Sequence, residues 1–187
     1  MGHKFADIAF TDSVKQIQTL EGSRNAYSKM EAGEDFNHVL GPKELAFISV
    51  RNSFYMATVS ETGWPYIQHR GGPAGFIKIL DSKTLGFADF RGNRQYVSVG
   101  NAQKNDRVSL FFMDYANRRR LKALGRISIV DTDDSAMMDR LAVSSDYRAK
   151  IERGIILKIE AFDWNCPQHI TPRFTMDEVS ELGGEAI

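Results

Sequence analysis

Two arginines, a glycine and an asparagine crowd the segment Phe87-Ala88-Asp89-Phe90-Arg91-Gly92-Asn93-Arg94-Gln95-Tyr96, and together these residue types can bind an anion. A guanidinium fork takes two phosphate oxygens at once. Gly92 lets a ligand approach the backbone, and asparagine is a helix-capping residue type. The strand-like run Thr84 to Asp89 precedes the segment, and Gln95 to Val99 reads as the opening of a helix. A strand feeding a helix through such a turn would set free N–H groups and a positive helix end at one point. On spacing alone, a phosphate site and a solvated turn are equally good readings. The chain carries neither a GxGxxG after a strand nor a GxxxxGK[ST].

Gln68-His69-Arg70-Gly71-Gly72-Pro73 closes a strand with polar residues and two glycines; such a turn can meet a flat or anionic ligand, but read alone a plain hairpin end is the better reading. Arg118-Arg119-Arg120-Leu121-Lys122 would put Arg118, Arg120 and Lys122 on one strand face. A solvated face is the better reading there, and nucleic-acid binding the least favoured. Trp164-Asn165-Cys166-Pro167-Gln168-His169-Ile170-Thr171-Pro172-Arg173 brings an aromatic ring, two amides, a thiol, an imidazole and a guanidinium into one loop that two prolines stiffen. Cys166 and His169 do not by themselves make a nucleophile pair, because a thiolate needs an oriented base. His3, His38, His69 and His169 are scattered and Cys166 is alone, so no metal-ligand spacing emerges.

The elements that must position these residues change character along the chain. Residues 1–40 read as a partly helical arm: Thr11-Asp12-Ser13 is a capping signal with Val14, Ile17 and Leu20 at near-helical spacing. Glu21-Gly22-Ser23 and Ala32-Gly33-Glu34-Asp35 interrupt the arm. Gly41-Pro42 starts a fresh helix, and residues 41–187 form the main domain. Phe54 to Val59 and Tyr66 to Arg70 make a hairpin, and Phe76 to Leu80 pairs with Leu85 to Asp89 around Asp81-Ser82-Lys83. A helix is expected from about Asn93 to Ala102. Strands follow over Arg107 to Asp114 and over Arg119 to Val130, the latter with a bulge at Gly125. Asp131 to Asp134 caps a helix through Met137, Met138 and Leu141, and Ile155 to Trp164 is the last strand. The fold class is mainly β with helices (α+β): an antiparallel barrel of six to seven strands decorated by short helices, without the regular βαβ alternation of a parallel sheet.

Composition bounds the function classes. The 187 residues are 42% hydrophobic and 26% charged, with 24 Lys+Arg against 24 Asp+Glu. Formal neutrality argues against a protein that binds nucleic acid through bulk charge. The apolar runs are too short to span a bilayer, and the first residues lack an apolar signal core. A single cysteine excludes an internal disulfide and fits the cytoplasm.

Taken together, these residues resemble the pyridoxamine 5′-phosphate oxidase-like family of FMN-binding split barrels, from roughly Glu44 to Phe174. The most specific stretch is Gly86 to Gln95 followed by Asn105-Asp106-Arg107-Val108-Ser109-Leu110-Phe111-Phe112. The resemblance implies FMN as cofactor, with Arg94 and Asn93 on its phosphate and Lys78 near the flavin. Arg70 and Gly71 lie close to the family's first phosphate arginine. Gln95 stands where the oxidases proper carry lysine, a loss that Arg91 can offset. Arg120 stands where the family usually has a glutamine to the isoalloxazine. Trp164 and Arg173 match residues that complete the pocket, usually across a homodimer interface. The oxidases' Arg-x-His element is missing from Gln168-His169-Ile170-Thr171-Pro172-Arg173. A flavoprotein oxidoreductase is therefore expected, acting on a substrate other than pyridoxamine phosphate, with a small molecule or NAD(P)H as electron donor. The alternative is a flavin- or nucleotide-binding carrier or sensor without turnover.

Overall fold

The computed structural model describes residues 2–32, 34, 36–144 and 146–184. Three helices open the chain: α1 (Lys4–Ala9), α2 (Asp12–Leu20) and α3 (Arg24–Glu31). Thr11 caps α2, its hydroxyl accepting from the Val14 N–H at 3.5 Å, as the capping signal predicts. Gly33 and Asp35 of the second interruption lie outside the described residues. Helix α4 (Pro42–Ser49) begins at the Gly-Pro signal, and the Glu44 carboxylate accepts from the Gly41 N–H at 3.0 Å.

The strands then follow in order: β1 (Ser53–Val59), β2 (Pro65–Gly71), β3 (Lys78–Asp81) and β4 (Thr84–Phe90). After helix α5 (Val97–Ala102) come β5 (Arg107–Asp114), β6 (Arg119–Val130), helix α6 (Ser135–Leu141), β7 (Ile151–Trp164) and helix α7 (Met176–Gly184). All the ladders are antiparallel, in one sheet ordered β2-β1-β5-β6-β7-β4-β3. This is the expected antiparallel barrel of six to seven strands with short helices.

Alternation builds the core. Phe54 and Met56 of β1, Val108, Leu110 and Phe112 of β5, and Leu121, Ala123 and Ile127 of β6 all point inward and are buried. Phe54 is the hub: its ring lies 5.3 Å from Phe112, 5.4 Å from Phe87 and 6.0 Å from Phe76, centroid to centroid. Each such ring stabilises the fold by about 1.5–3 kcal/mol through burial. Strand β4 is buried across Leu85 to Asp89, so its last inward residue, a carboxylate, sits at the end of a hydrophobic strand.

Four local expectations change. The helix expected from Asn93 starts only at Val97, because Arg94 and Tyr96 take left-handed backbone conformations (φ 61° and 54°) that no helix contains. Strand β7 starts at Ile151 rather than Ile155. Arg118 lies in the turn before β6, also left-handed (φ 52°), so it shares no strand face with Arg120. The irregularity at Gly125 is real, but the extra residue belongs to β7: Leu124 pairs Ala161 and Gly125 pairs Ile159. Gly125 is required because a Cβ there would come within 2.3 Å of the Lys158 carbonyl oxygen. Helix α7 has no counterpart among the sequence expectations.

Candidate anion site at the seam of the barrel

Strands β2 and β4 are not neighbours in the sheet, yet their side chains close the barrel's seam. Arg70 of β2 donates from Nη1 to Asp89 Oδ1 of β4 at 2.7 Å. Helix α5 is tied to the β1–β2 side of this seam: Ser98 donates to Gln68 Oε1 at 3.1 Å, and the Asn101 amide donates to Thr58 Oγ1 at 2.9 Å. On the other side of Asp89, β7 contributes its cross-strand partner Arg153. The Arg153 Nε lies 3.4 Å from Asp89 Oδ2. One buried carboxylate thus stands between two guanidinium groups from two different strands.

The turn after β4 adds a second layer. Glu152 Oε1 accepts from the Tyr96 hydroxyl at 3.2 Å and lies 3.6 Å from Arg91 Nε, while Glu152 Oε2 accepts from Arg153 Nη2 at 3.1 Å. The Tyr96 hydroxyl also accepts from Arg94 Nε at 3.1 Å, and Arg153 lies over the Tyr96 ring at 4.9 Å. These contacts hold the two left-handed residues in a sparsely populated conformation, the kind of local strain that clusters at functional sites. Asn93 does not cap a helix; its Oδ1 accepts from the Gln95 N–H at 3.2 Å inside the turn.

Gln68, Arg70, Asp89, Asn93, Arg94 and Glu152 line a cavity of about 50 Å³ here. A Cβ at Gly92, which also lines it, would meet no atom within 4 Å. Four guanidinium groups (Arg70, Arg91, Arg94, Arg153) surround two carboxylates (Asp89, Glu152), an excess of two positive charges. Burial pushes the Asp89 carboxyl above the ordinary aspartate range, against the pull of Arg70 and Arg153 and with Glu152 adding to the rise. The Nε–H groups of Arg70 and Arg153 are buried with no hydrogen-bond acceptor. Donors in excess of acceptors, at a net charge of two, fit a phosphate dianion; the volume has no room for a flavin ring.

The structure divides the ten residues singled out in the sequence. Arg70, Asn93 and Arg94 line the cavity, Arg91 flanks it through Glu152, and Gln95 is exposed on the turn beside it. Gly71 ends β2, and its neighbour Gly72 is small because a Cβ would sit 2.7 Å from the Phe76 ring. Lys78 opens β3, opposite Gly86 and outside the cavity lining. Arg120, half-buried on β6 opposite Met113, accepts from the Asn165 N–H through its carbonyl and leaves its Nε without a partner. Trp164 donates from Nε1 to Glu44 Oε1 at 2.7 Å and packs edge-on against Phe47. Arg173 lies over the Tyr115 ring at 5.1 Å in a separate cavity of about 240 Å³ with Arg51, Asp114 and Glu178.

Sequence reasoning missed Asp89, Tyr96, Glu152 and Arg153 as site residues. Asp89 and Tyr96 stood inside the quoted segment without a role. Glu152 and Arg153 preceded the point where the last strand was expected to begin. An earlier strand start would have set Arg153 beside the end of β4.

The comparisons bear on the family and the fold. The sequence matches the family model described as pyridoxamine 5′-phosphate oxidase over residues 40–164. No curated protein matches the chain. Among solved structures, a HupZ variant from Group A Streptococcus is similar with a TM-score of 0.50 and 15% identity, covering 67% of this chain and 99% of that one. A candidate pyridoxamine 5′-phosphate oxidase from Lactobacillus delbrueckii gives a TM-score of 0.50 at 21% identity, covering 67% and 93%. At these identities the likeness is one of fold. The family match, spanning most of the chain and every strand of the barrel, is decisive: this chain belongs to the pyridoxamine 5′-phosphate oxidase family.

Proposed function

We propose that this chain is an FMN-binding oxidoreductase acting on a substrate other than pyridoxamine phosphate. The observation that carries the reading is the seam cavity, lined by Arg70 with a buried Nε–H that lacks an acceptor, and set in a cluster of two excess positive charges that suits a phosphate dianion. Arg94, Arg70 and Asn93 would hold the phosphate, with Arg91 in support. Bound FMN would supply the electron and hydride transfer. The chain's own contribution is orientation and charge: four arginines fixed by carboxylates, a tyrosine and a hydrophobic strand need little reorganisation when an anion arrives.

The flavin ring needs walls that one seam cavity does not provide. Trp164 and Arg173 line other cavities of the same chain, which supports a homodimer whose second copy completes the pocket. The hairpin residues Trp64 and Ile67, 77% and 64% exposed, offer apolar surface for that contact. A small-molecule donor such as NAD(P)H would reach the flavin at this interface.

The absorption spectrum and mass of the copurified cofactor test the reading directly. A colourless protein that does not bind added FMN overturns it. Rapid bleaching of bound flavin by NADH or NADPH supports an enzyme, and inertness supports a carrier or sensor. Arg94→Ala removes a charge-assisted contact and should weaken FMN about 10- to 100-fold while leaving riboflavin binding unchanged.

A further inference from the structure

Asp89 occupies an unusual place for a carboxylate in an anion site. Its side chain is 8% exposed, it is held by Arg70 at 2.7 Å and by Arg153 at 3.4 Å, and it lines the cavity that the phosphate would enter. The groups facing it are Arg70 from β2, Glu152 and Arg153 from β7, and Arg91, Arg94 and Tyr96 from the turn. A phosphate in a cavity of about 50 Å³ lies within a few ångströms of Asp89, where two negative charges repel strongly. Both anions also call on the Arg70 guanidinium, which lines the cavity.

We propose that Asp89 is a positioning residue whose carboxylate stands in for the ligand: it aligns Arg70 before a ligand arrives, yields it to an arriving phosphate dianion, and then takes up a proton from solvent. The inference rests on the phosphate reading of the cavity. Glu152 is the weaker candidate for the same exchange. It is tied to Arg91, Arg153 and the Tyr96 hydroxyl, and two of these contacts lie away from Asp89's partners. Among the described residues Asp89 has only Arg70 and Arg153, and its shorter contact, to Arg70, is the one the phosphate competes for. Burial already disfavours its charged form, so an added negative charge tips it towards the protonated state. The exchange offsets one of the dianion's two charges, because a carboxylate is neutralised beside it as it enters.

Calorimetric titration of the full chain with FMN and with riboflavin, each in two buffers of different ionisation enthalpy, counts the protons. Near about pH 6, wild type should take up about one proton more per FMN than Asp89→Asn, and neither should take up a proton with riboflavin. By linkage, wild-type FMN affinity should fall relative to the variant's by up to about tenfold per pH unit as pH rises. Difference infrared spectra supply a second readout that needs no variant: FMN should raise the C=O band of a protonated carboxyl, and riboflavin should not. FMN preferred over riboflavin with equal proton counts, or without that band in wild type, overturns the exchange and leaves the phosphate site standing. Equal affinity for FMN and riboflavin, or binding of neither, overturns the phosphate site and the exchange with it.

Discussion

Two cationic clusters in this molecule hold their charges by opposite means. At the seam, Arg70, Arg91 and Arg153 are gripped by Asp89 and Glu152. At the base of β7, Lys43 and Arg119 lie over the Trp164 ring at 4.5 and 5.0 Å, and Arg119 also lies over Phe47 at 5.1 Å. Lys43, Arg118 and Arg119 make no ion pair among the described residues, although they share a cavity wall with Trp164. The seam uses a buried and a half-buried carboxylate for alignment; the base of β7 uses aromatic faces, which order a cation without neutralising it. Only the seam has partners that an incoming anion can displace.

The comparison breaks most sharply at Arg70. Arg70→Met leaves Asp89 buried with Arg153 alone, and a half-broken buried pair costs about 3–5 kcal/mol of stability. Urea unfolding should report that loss, and adding Asp89→Leu should recover most of it, because removing both charges leaves no uncompensated ion. A loss below about 1 kcal/mol for Arg70→Met would place the pair in the weak class of surface contacts and erase the distinction between the clusters.

Trp164 tests the second cluster's anchor. Its Nε1–H satisfies Glu44 Oε1, while Oε2 accepts from the Gly41 N–H at the start of α4. Trp164→Phe keeps a ring beneath Lys43 and Arg119 but strands one oxygen of a residue that is 8% exposed. The expected cost is about 1–3 kcal/mol, read as a lower thermal midpoint. A fall in FMN affinity with no loss of stability would instead show that the indole serves the cofactor across an interface.

The sequence made the barrel legible because its signals are local. Alternating residues in β1, β5 and β6, the Gly41-Pro42 start and the Asp134 cap each depend on a few neighbours, and β5 and β6 have the expected bounds. The site was legible only in part, because its closure is non-local. Nothing near Asp89 in the chain announces that Arg70, nineteen residues earlier, and Arg153, a cross-strand neighbour from much later in the chain, both converge on it. The Asn93 helix start failed for a related reason. Tertiary contacts of Arg94, Tyr96 and Glu152 support left-handed residues that propensity alone disfavours.

Arg119 gives the smallest and most discriminating effect. Its guanidinium lies over two rings and no carboxylate depends on it among the described residues. Arg119→Ala therefore removes attraction without stranding a buried charge, and the expected loss is about 0.5–1 kcal/mol by urea unfolding. The same substitution should leave the FMN-over-riboflavin preference untouched, since Arg119 lines a different cavity from Arg94. If Arg119→Ala costs as much as Arg70→Met, aromatic faces hold cations in this protein as firmly as buried carboxylates do. The contrast would then lie in exposure alone, Arg119 being exposed and the Arg70 side chain only 13% exposed. If it costs little, the seam's carboxylates are what make its arginines rigid, and that rigidity is what an anion exchanging places with Asp89 would inherit.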